Sequence, residues 1–253
     1  MIIGIIGCGS IASIISHYFK KNDEIEIKYL YDKNFDNAKC LAEDTGCVPV
    51  RDIAEMFSDV DLVVEAAAPV AVKEYMPSIL SKGIDVIIMS VGALMDVEFR
   101  DELEDLARSN NCKIHLPSGA IAGVDAVNAA LVGDITSLNI VTRKPPESLG
   151  LDVDEETIVF DGKSSQAVKE FPANINVSAT LSIGSKRDVD VKIIADPKVK
   201  RNIHTVTLEG TLGNVTTISE NLSCEDNPKT SRLAAFSAIK LLEKLCDTII
   251  VGT

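Results

Sequence analysis

Between residues 1 and 116 the chain switches repeatedly between two hydrophobic periods, and this alternation restricts its fold more than any other feature. Apolar stretches of strand length occupy 1–6, 25–31, 62–65, 84–89 and 112–116. Between them, helical spacing recurs over 10–21, 35–43, 70–81 and 97–109. The strands carry near-continuous Ile and Val, which suits a parallel sheet buried on both faces. Strand, helix, strand repeated in this way demands right-handed crossovers and a doubly wound α/β sheet. Trp is absent and aromatics make up only 4% of the chain, so aliphatic side chains must carry the burial.

The texture changes at Ser118. Strand-like stretches at 138–143, 156–160, 189–195, 204–209 and 214–218 are divided by the turn signals Lys144-Pro145-Pro146, Asp161-Gly162, Asp196-Pro197 and Gly213-Asn214. Helical patterning interrupts them at 165–170 and 175–183. The expected architecture is a Rossmann-type domain of residues 1–117 plus 229–253, with a second α+β domain over 118–228. That second domain should hold a largely antiparallel sheet. A terminal amphipathic helix is expected to start with Asn227 as its cap and Pro228 in its first turn. Leu233, Phe236, Ile239, Leu241 and Leu242 would supply its apolar positions.

Gly7-Cys8-Gly9-Ser10-Ile11-Ala12 matches G-x-G-x-x-G/A between the first strand and the first helix. Gly7 permits the tight turn, Gly9 lets backbone approach a pyrophosphate, and small Ala12 allows close helix–strand packing. The helix N-terminus at Ser10 and Ile11 offers free N–H groups to the phosphates. Asp32 ends the second strand, about 20 residues on, where a carboxylate can accept the ribose hydroxyls. That charge opposes a 2′-phosphate and favours NAD, while neighbouring Lys33 leaves NADP open. Ala67, within Ala66-Ala67-Ala68-Pro69, keeps side chains small where the cofactor would cross the strand ends; Ser90-Val91-Gly92-Ala93 does the same after the next strand.

The 25 Lys and Arg against 38 Asp and Glu give a net charge of −13, which repels nucleic-acid backbones and anionic membranes. An anionic substrate therefore needs a local cation or helix terminus. The six cysteines are scattered without a CxxC pair, so free thiols, no bound metal and a cytoplasmic location are expected. MIIGIIG has no basic leader or cleavage site and reads as a strand. Of three histidines, His17 lies inside a helix and His115 ends a strand. His204, in RNIHTVTLEG, is the candidate acid–base group, because an imidazole titrates near neutrality. The same spacing also fits a packing histidine.

Five blocks, GAIAGVDAV (119–127), TRKPP (142–146), FPANINVSATLS (171–182), ADPKVKRNIHTV (195–206) and NPKTSRLAAFS (227–237), resemble the L-aspartate dehydrogenase family. One departure is Ala122, where a second Gly is expected. The resemblance implies NAD- or NADP-dependent oxidation of L-aspartate to iminoaspartate, which can feed quinolinate and NAD synthesis. It also implies His204 as the active-site histidine, with Ala120 and Asn174 contacting the cofactor. For the substrate carboxylates, Lys229 and Thr230 at the start of the terminal helix are candidates; Asn176 could orient the substrate or cap a helix. Arg143-Lys144 could bind a carboxylate or be a solvated pair beside a rigid turn. The fold analogy favours a homodimer. Two alternatives remain at this level: a reductase of the homoserine dehydrogenase or dihydrodipicolinate reductase type, and a non-catalytic NAD(H) sensor.

Overall fold

A computed structural model describes residues 1–171, 175–224 and 227–252, and the side chains of 228 and 229 lie outside that description. Two compact units emerge, one of Met1–Pro117 with Ala235–Ile250, the other of Ser118–Ala234 with the last residues.

The first unit runs β1 (Ile2–Ile6), α1 (Ser10–Phe19), β2 (Glu26–Tyr31), α2 (Phe35–Thr45), β3 (Val48–Val50), β4 (Leu62–Glu65), α3 (Pro69–Leu80), β5 (Asp85–Ile88), α4 (Val97–Ser109) and β6 (Ile114–His115). Its six strands lie in the order β3-β2-β1-β4-β5-β6. Every pair is parallel. Ile3, Ile5, Val63, Val64, Val86 and Ile87 are all fully buried, as expected of a sheet covered on both faces. The strand order reverses beside β1, which places a ligand crevice at the carboxyl ends of β1 and β4. β3 is an unanticipated element: Val48-Pro49-Val50 is short and contains a proline that only an edge strand tolerates.

The second unit runs α5 (Val124–Ala130), β7 (Ile135–Lys144), β8 (Thr157–Lys163), α6 (Ser164–Glu170), α7 (Asn176–Ser185), β9 (Asp190–Ala195), β10 (Asn202–Gly210), β11 (Gly213–Asn221), β12 (Ser223–Cys224), β13 (Asn227–Ser231) and the start of α8 (Arg232–Cys246). Five strands form a sheet in the order β11-β10-β7-β9-β8. All neighbours are antiparallel except β7 and β9. Asp161-Gly162 is not a turn: it continues β8, because Asp161 and Gly162 pair with Lys192 and Val191 of β9. An Asp161–Lys192 ion pair of 2.9 Å joins the strands there. Cross-strand pairing overrides the local turn propensity.

Alternate residues of β7 and β10 face inward, and across the pair Leu138 meets Leu208, Ile140 meets Val206 and Thr142 meets His204. The first four join Val127, Val177, Leu181, Val191 and Ile193 in the unit's aliphatic core.

The terminal helix begins later than its sequence implies. Asn227–Ser231 is strand β13, paired with β12, so its backbone is committed to a ladder. Ser231 then caps α8, its Oγ accepting the Leu233 N–H at 3.1 Å. The buried face of α8 is Ala235, Ala238, Ile239 and Leu242, whereas Phe236 is 53% exposed. Among the described residues no helix is long and apolar enough to cross a membrane.

Candidate active site

The glycine turn closes β1 with the Gly7 N–H bonded to the Tyr31 carbonyl at 2.8 Å. Gly7 has φ +91°, and a Cβ there would stand 2.7 Å from both Cα and Cβ of Ala67. The turn can therefore press against the Ala66–Ala68 loop only as glycine. Gly9 differs: its backbone is extended at φ −84°, and an added Cβ would meet nothing within 4 Å. That space belongs to a cavity of about 440 Å³ lined by Gly7, Cys8, Gly9, Asp32, Ala67 and Tyr75, among others. Ser10 and Ile11 open α1, half-buried, and do not line it.

Asp32 lines this cavity and is already engaged. Its Oδ2 accepts the Cys8 N–H at 2.8 Å, and Oδ1 accepts from Asn34 N at 2.9 Å and Asn37 Nδ2 at 3.3 Å. Three donors against roughly four lone-pair sites leave little spare capacity. The acid thus clasps the glycine turn as well as facing the cavity. Burial, with Asp32 next in effect, pushes the Cys8 thiol up to about 12 and keeps it protonated. Tyr31 and Tyr75 share a hydroxyl–hydroxyl bond of 2.9 Å, their rings edge-to-face at 5.4 Å. Lys33 and Glu74 complete the charged lining.

Glu65 was not singled out by sequence, although a carboxylate closing the apolar run LVVE is visible there. It is fully buried, and it accepts Ala67 N–H at 2.8 Å, Ser90 N–H at 2.9 Å and Ser90 Oγ–H at 2.8 Å. Burial pushes its carboxyl above the usual range, opposed by these donors. It ties the loop after β4 to the one after β5, and so fixes the wall against which Gly7 packs.

In the second unit the inward rows of the sheet turn polar at one end. His204 is 5% exposed and its Nδ1 lies 2.9 Å from Thr142 Oγ1. The register sets Ser219 of β11 opposite His204, and Asn221 opposite Asn202. Thr142, Lys144, Asn202, Ser219 and Asn221 are all buried. Asn221 Nδ2 donates to the Ala120 carbonyl at 2.9 Å, which ties residue 120 to this end of the sheet. Burial, reinforced by the charge of Lys144, holds the His204 imidazole down to about 3 instead of near neutrality. Burial alone lowers Lys144 to about 8.

Other candidates separate. His17 Nδ1 bonds the Ser13 carbonyl at 2.8 Å on the exposed side of α1, and His115 pairs with Asp85 at 3.3 Å. Arg143 is spent on Glu156 at 2.6 Å and Asp196 at 2.8 Å. Lys229 and Thr230 lie on β13, not on a helix N-terminus, so the helix-dipole argument for them does not hold. The Lys229 side chain and Asn174 lie outside the described residues. Asn176 opens α7 as its first helical residue, and Ile175 occupies the cap position without a side-chain bond.

A doubly wound sheet with a glycine turn, an acid at the end of β2 and an open cavity at the strand reversal defines a dinucleotide-binding domain of the Rossmann class. A family model described as the NAD binding domain of homoserine dehydrogenase matches residues 7–117, and one described as the C-terminal part of aspartate dehydrogenase matches residues 125–245. The L-aspartate dehydrogenase of Methanothermobacter thermautotrophicus is 50% identical, covering 100% of this chain and 99% of its own. That of Methanosarcina barkeri is 42% identical over 99% of each chain. The crystal structure of aspartate dehydrogenase from Thermotoga maritima superposes with a TM-score of 0.85 at 34% identity, covering 100% and 99% of the two chains. The chain belongs to the L-aspartate dehydrogenase family.

Proposed function

We propose that this protein oxidises L-aspartate to iminoaspartate with NAD or NADP, and in reverse aminates oxaloacetate reductively. The observation that carries the reading is the buried imidazole of His204, neutral and braced by Thr142 at the polar end of an otherwise aliphatic sheet face. Full-length similarity to L-aspartate dehydrogenases supports the substrate, and the match over residues 125–245 favours it over the homoserine dehydrogenase alternative.

The cavity of the first unit fits the dinucleotide: open space at Gly9 admits the pyrophosphate, and Asp32 faces the ribose side. In this reading Gly7, Gly9, Asp32 and Ala67 would hold it from the cavity wall, Ser10 and Ile11 would offer helix N–H groups beside it, and the family resemblance adds Ala120 and Asn174 as cofactor contacts. When bound, the cofactor would supply the hydride acceptor or donor for the substrate Cα. His204 handles the proton. With Nδ1–H donated to Thr142 Oγ1, Nε2 presents its lone pair to the substrate amine and accepts the proton released as the imine forms.

The protein acts on a small molecule in the cytoplasm, independently of nucleic acid or membrane, and as a homodimer. The open sheet face opposite His204, where Ile158 is 57% and Ile218 68% exposed, is the pairing surface; sedimentation of an Ile218→Lys variant as a monomer would support it. Its product feeds quinolinate and NAD synthesis. Absorbance of NADH with L-aspartate, or with oxaloacetate and ammonia, tests the reaction. His204→Ala should lower kcat by about 10²–10⁴-fold with NADH affinity unchanged. Near-normal kcat would refute the assignment.

A further inference from the structure

Lys144 is the one buried lysine or arginine among the described residues, at 5% exposure. It ends β7 two residues beyond Thr142, and so shares the face on which Thr142 meets His204. Its register partner on β9 is Ala195, and on β10 Asn202 stands one step beyond the Ile203–Arg143 pair. The two adjacent cations are thereby sorted. Arg143 faces the other side of the sheet and is matched by two carboxylates, while Lys144 faces inward beside the imidazole.

Burying an ammonium group is costly even where it has a partner, and the aliphatic rows of the same face show that the fold itself does not require one there. Burial has already weakened its hold on the proton, to about 8. An arriving anion would restore that hold.

We propose that Lys144 receives a carboxylate of the substrate beside His204, so that the site selects a dicarboxylic amino acid by charge. This rests on the reading of the reaction as aspartate oxidation. A second consequence follows from the coupling of the two groups. The Lys144 charge holds the imidazole down. A carboxylate placed on Lys144 offsets that charge and makes His204 a stronger base once substrate is bound.

Isothermal titration of succinate and butyrate, four-carbon acids with two carboxylates and one, into the NADH-loaded protein tests the assignment. The native protein should prefer succinate. Lys144→Met should weaken succinate by about 10- to 100-fold, the worth of a charge-assisted bond, weaken butyrate less, and leave NADH affinity unchanged. In steady state the KM for L-aspartate should rise by a similar factor while kcat falls less. Lys144→Arg should retain the preference for succinate. An unaltered succinate-to-butyrate ratio in Lys144→Met overturns the proposal. Should that variant fail to fold, Lys144→Gln, which keeps a donor without the charge, carries the same expectation and the same refutation. If the native protein prefers succinate but forms no NADH with L-aspartate, the carboxylate site stands and the reaction reading falls.

Discussion

Gly7 and Gly9 belong to one turn, yet the structure predicts opposite consequences for their replacement by alanine. At Gly7 the left-handed backbone, φ +91°, costs a residue with a Cβ about 1–2 kcal/mol. The new methyl would also lie 2.7 Å from two atoms of Ala67 and 2.8 Å from the Ala66 carbonyl carbon. That loop cannot yield cheaply, because Glu65 holds the Ala67 N–H. Overpacking of this kind adds about 1–3 kcal/mol, so Gly7→Ala should lose roughly 2–5 kcal/mol. At Gly9 the backbone is extended and the methyl meets nothing. Gly9→Ala should be as stable as the native protein, or gain about 0.4–1 kcal/mol from a stiffer unfolded chain. Its loss should fall on NADH affinity, by about tenfold, or 1.4 kcal/mol, or more. The chain supplies its own probe: without tryptophan, its four tyrosines, Tyr18, Tyr29, Tyr31 and Tyr75, all report on the first unit. Urea unfolding followed by tyrosine emission gives the stability, and the fluorescence of bound NADH gives the affinity. A fully stable Gly7→Ala protein, or a Gly9→Ala protein with native NADH affinity, would refute the reasoning.

Asp32→Ala should raise the NADP-to-NAD preference, but it should also weaken binding of both cofactors, since the Cys8 and Asn34 N–H groups lose their acceptor; paired NADH and NADPH titrations separate the two effects. Glu65→Gln turns an amide NH₂ toward donors and should cost about 1–3 kcal/mol, read in the same tyrosine transition; a native midpoint would contradict the bracing role. His204 binds its proton near pH 3 when folded and near 6.5 when unfolded, so between these values the unfolded chain holds more protons and stability falls as pH falls. By pH 5 this amounts to about 2 kcal/mol, and His204→Gln should lose that part of the pH dependence when unfolding is compared at pH 7 and pH 5.

The first unit was legible because its signals are local. Runs of Ile and Val, helix spacing and a glycine turn each lie within a few residues, and the acid follows at a fixed distance. Features that depend on distant partners were not. That Thr142 faces His204 requires knowing the register of β7 against β10. The near-neutral titration expected of His204 assumed an exposed imidazole, whereas the sheet face buries it. Residues 227–231 looked like a helix start because Asn-Pro is a sound capping signal, but pairing with β12 claimed their backbone. Glu65 shows a different limit: a carboxylate at a strand end reads as an edge charge until the donors of two neighbouring loops are seen to converge on it.

The inward rows of β7 and β10 hold the core at one end and the polar cluster at the other, on a single ladder. A slip by one residue would send Leu138, Ile140, Thr142 and Lys144 to the open face together. No misfolded form that arises by strand slippage can keep an intact interior while losing only its chemistry. Selection for catalysis and selection against aggregation therefore act on the same hydrogen bonds. Substitutions that loosen the register of this ladder should therefore cost soluble protein and activity together, whereas replacing a single inward polar side chain should cost activity alone.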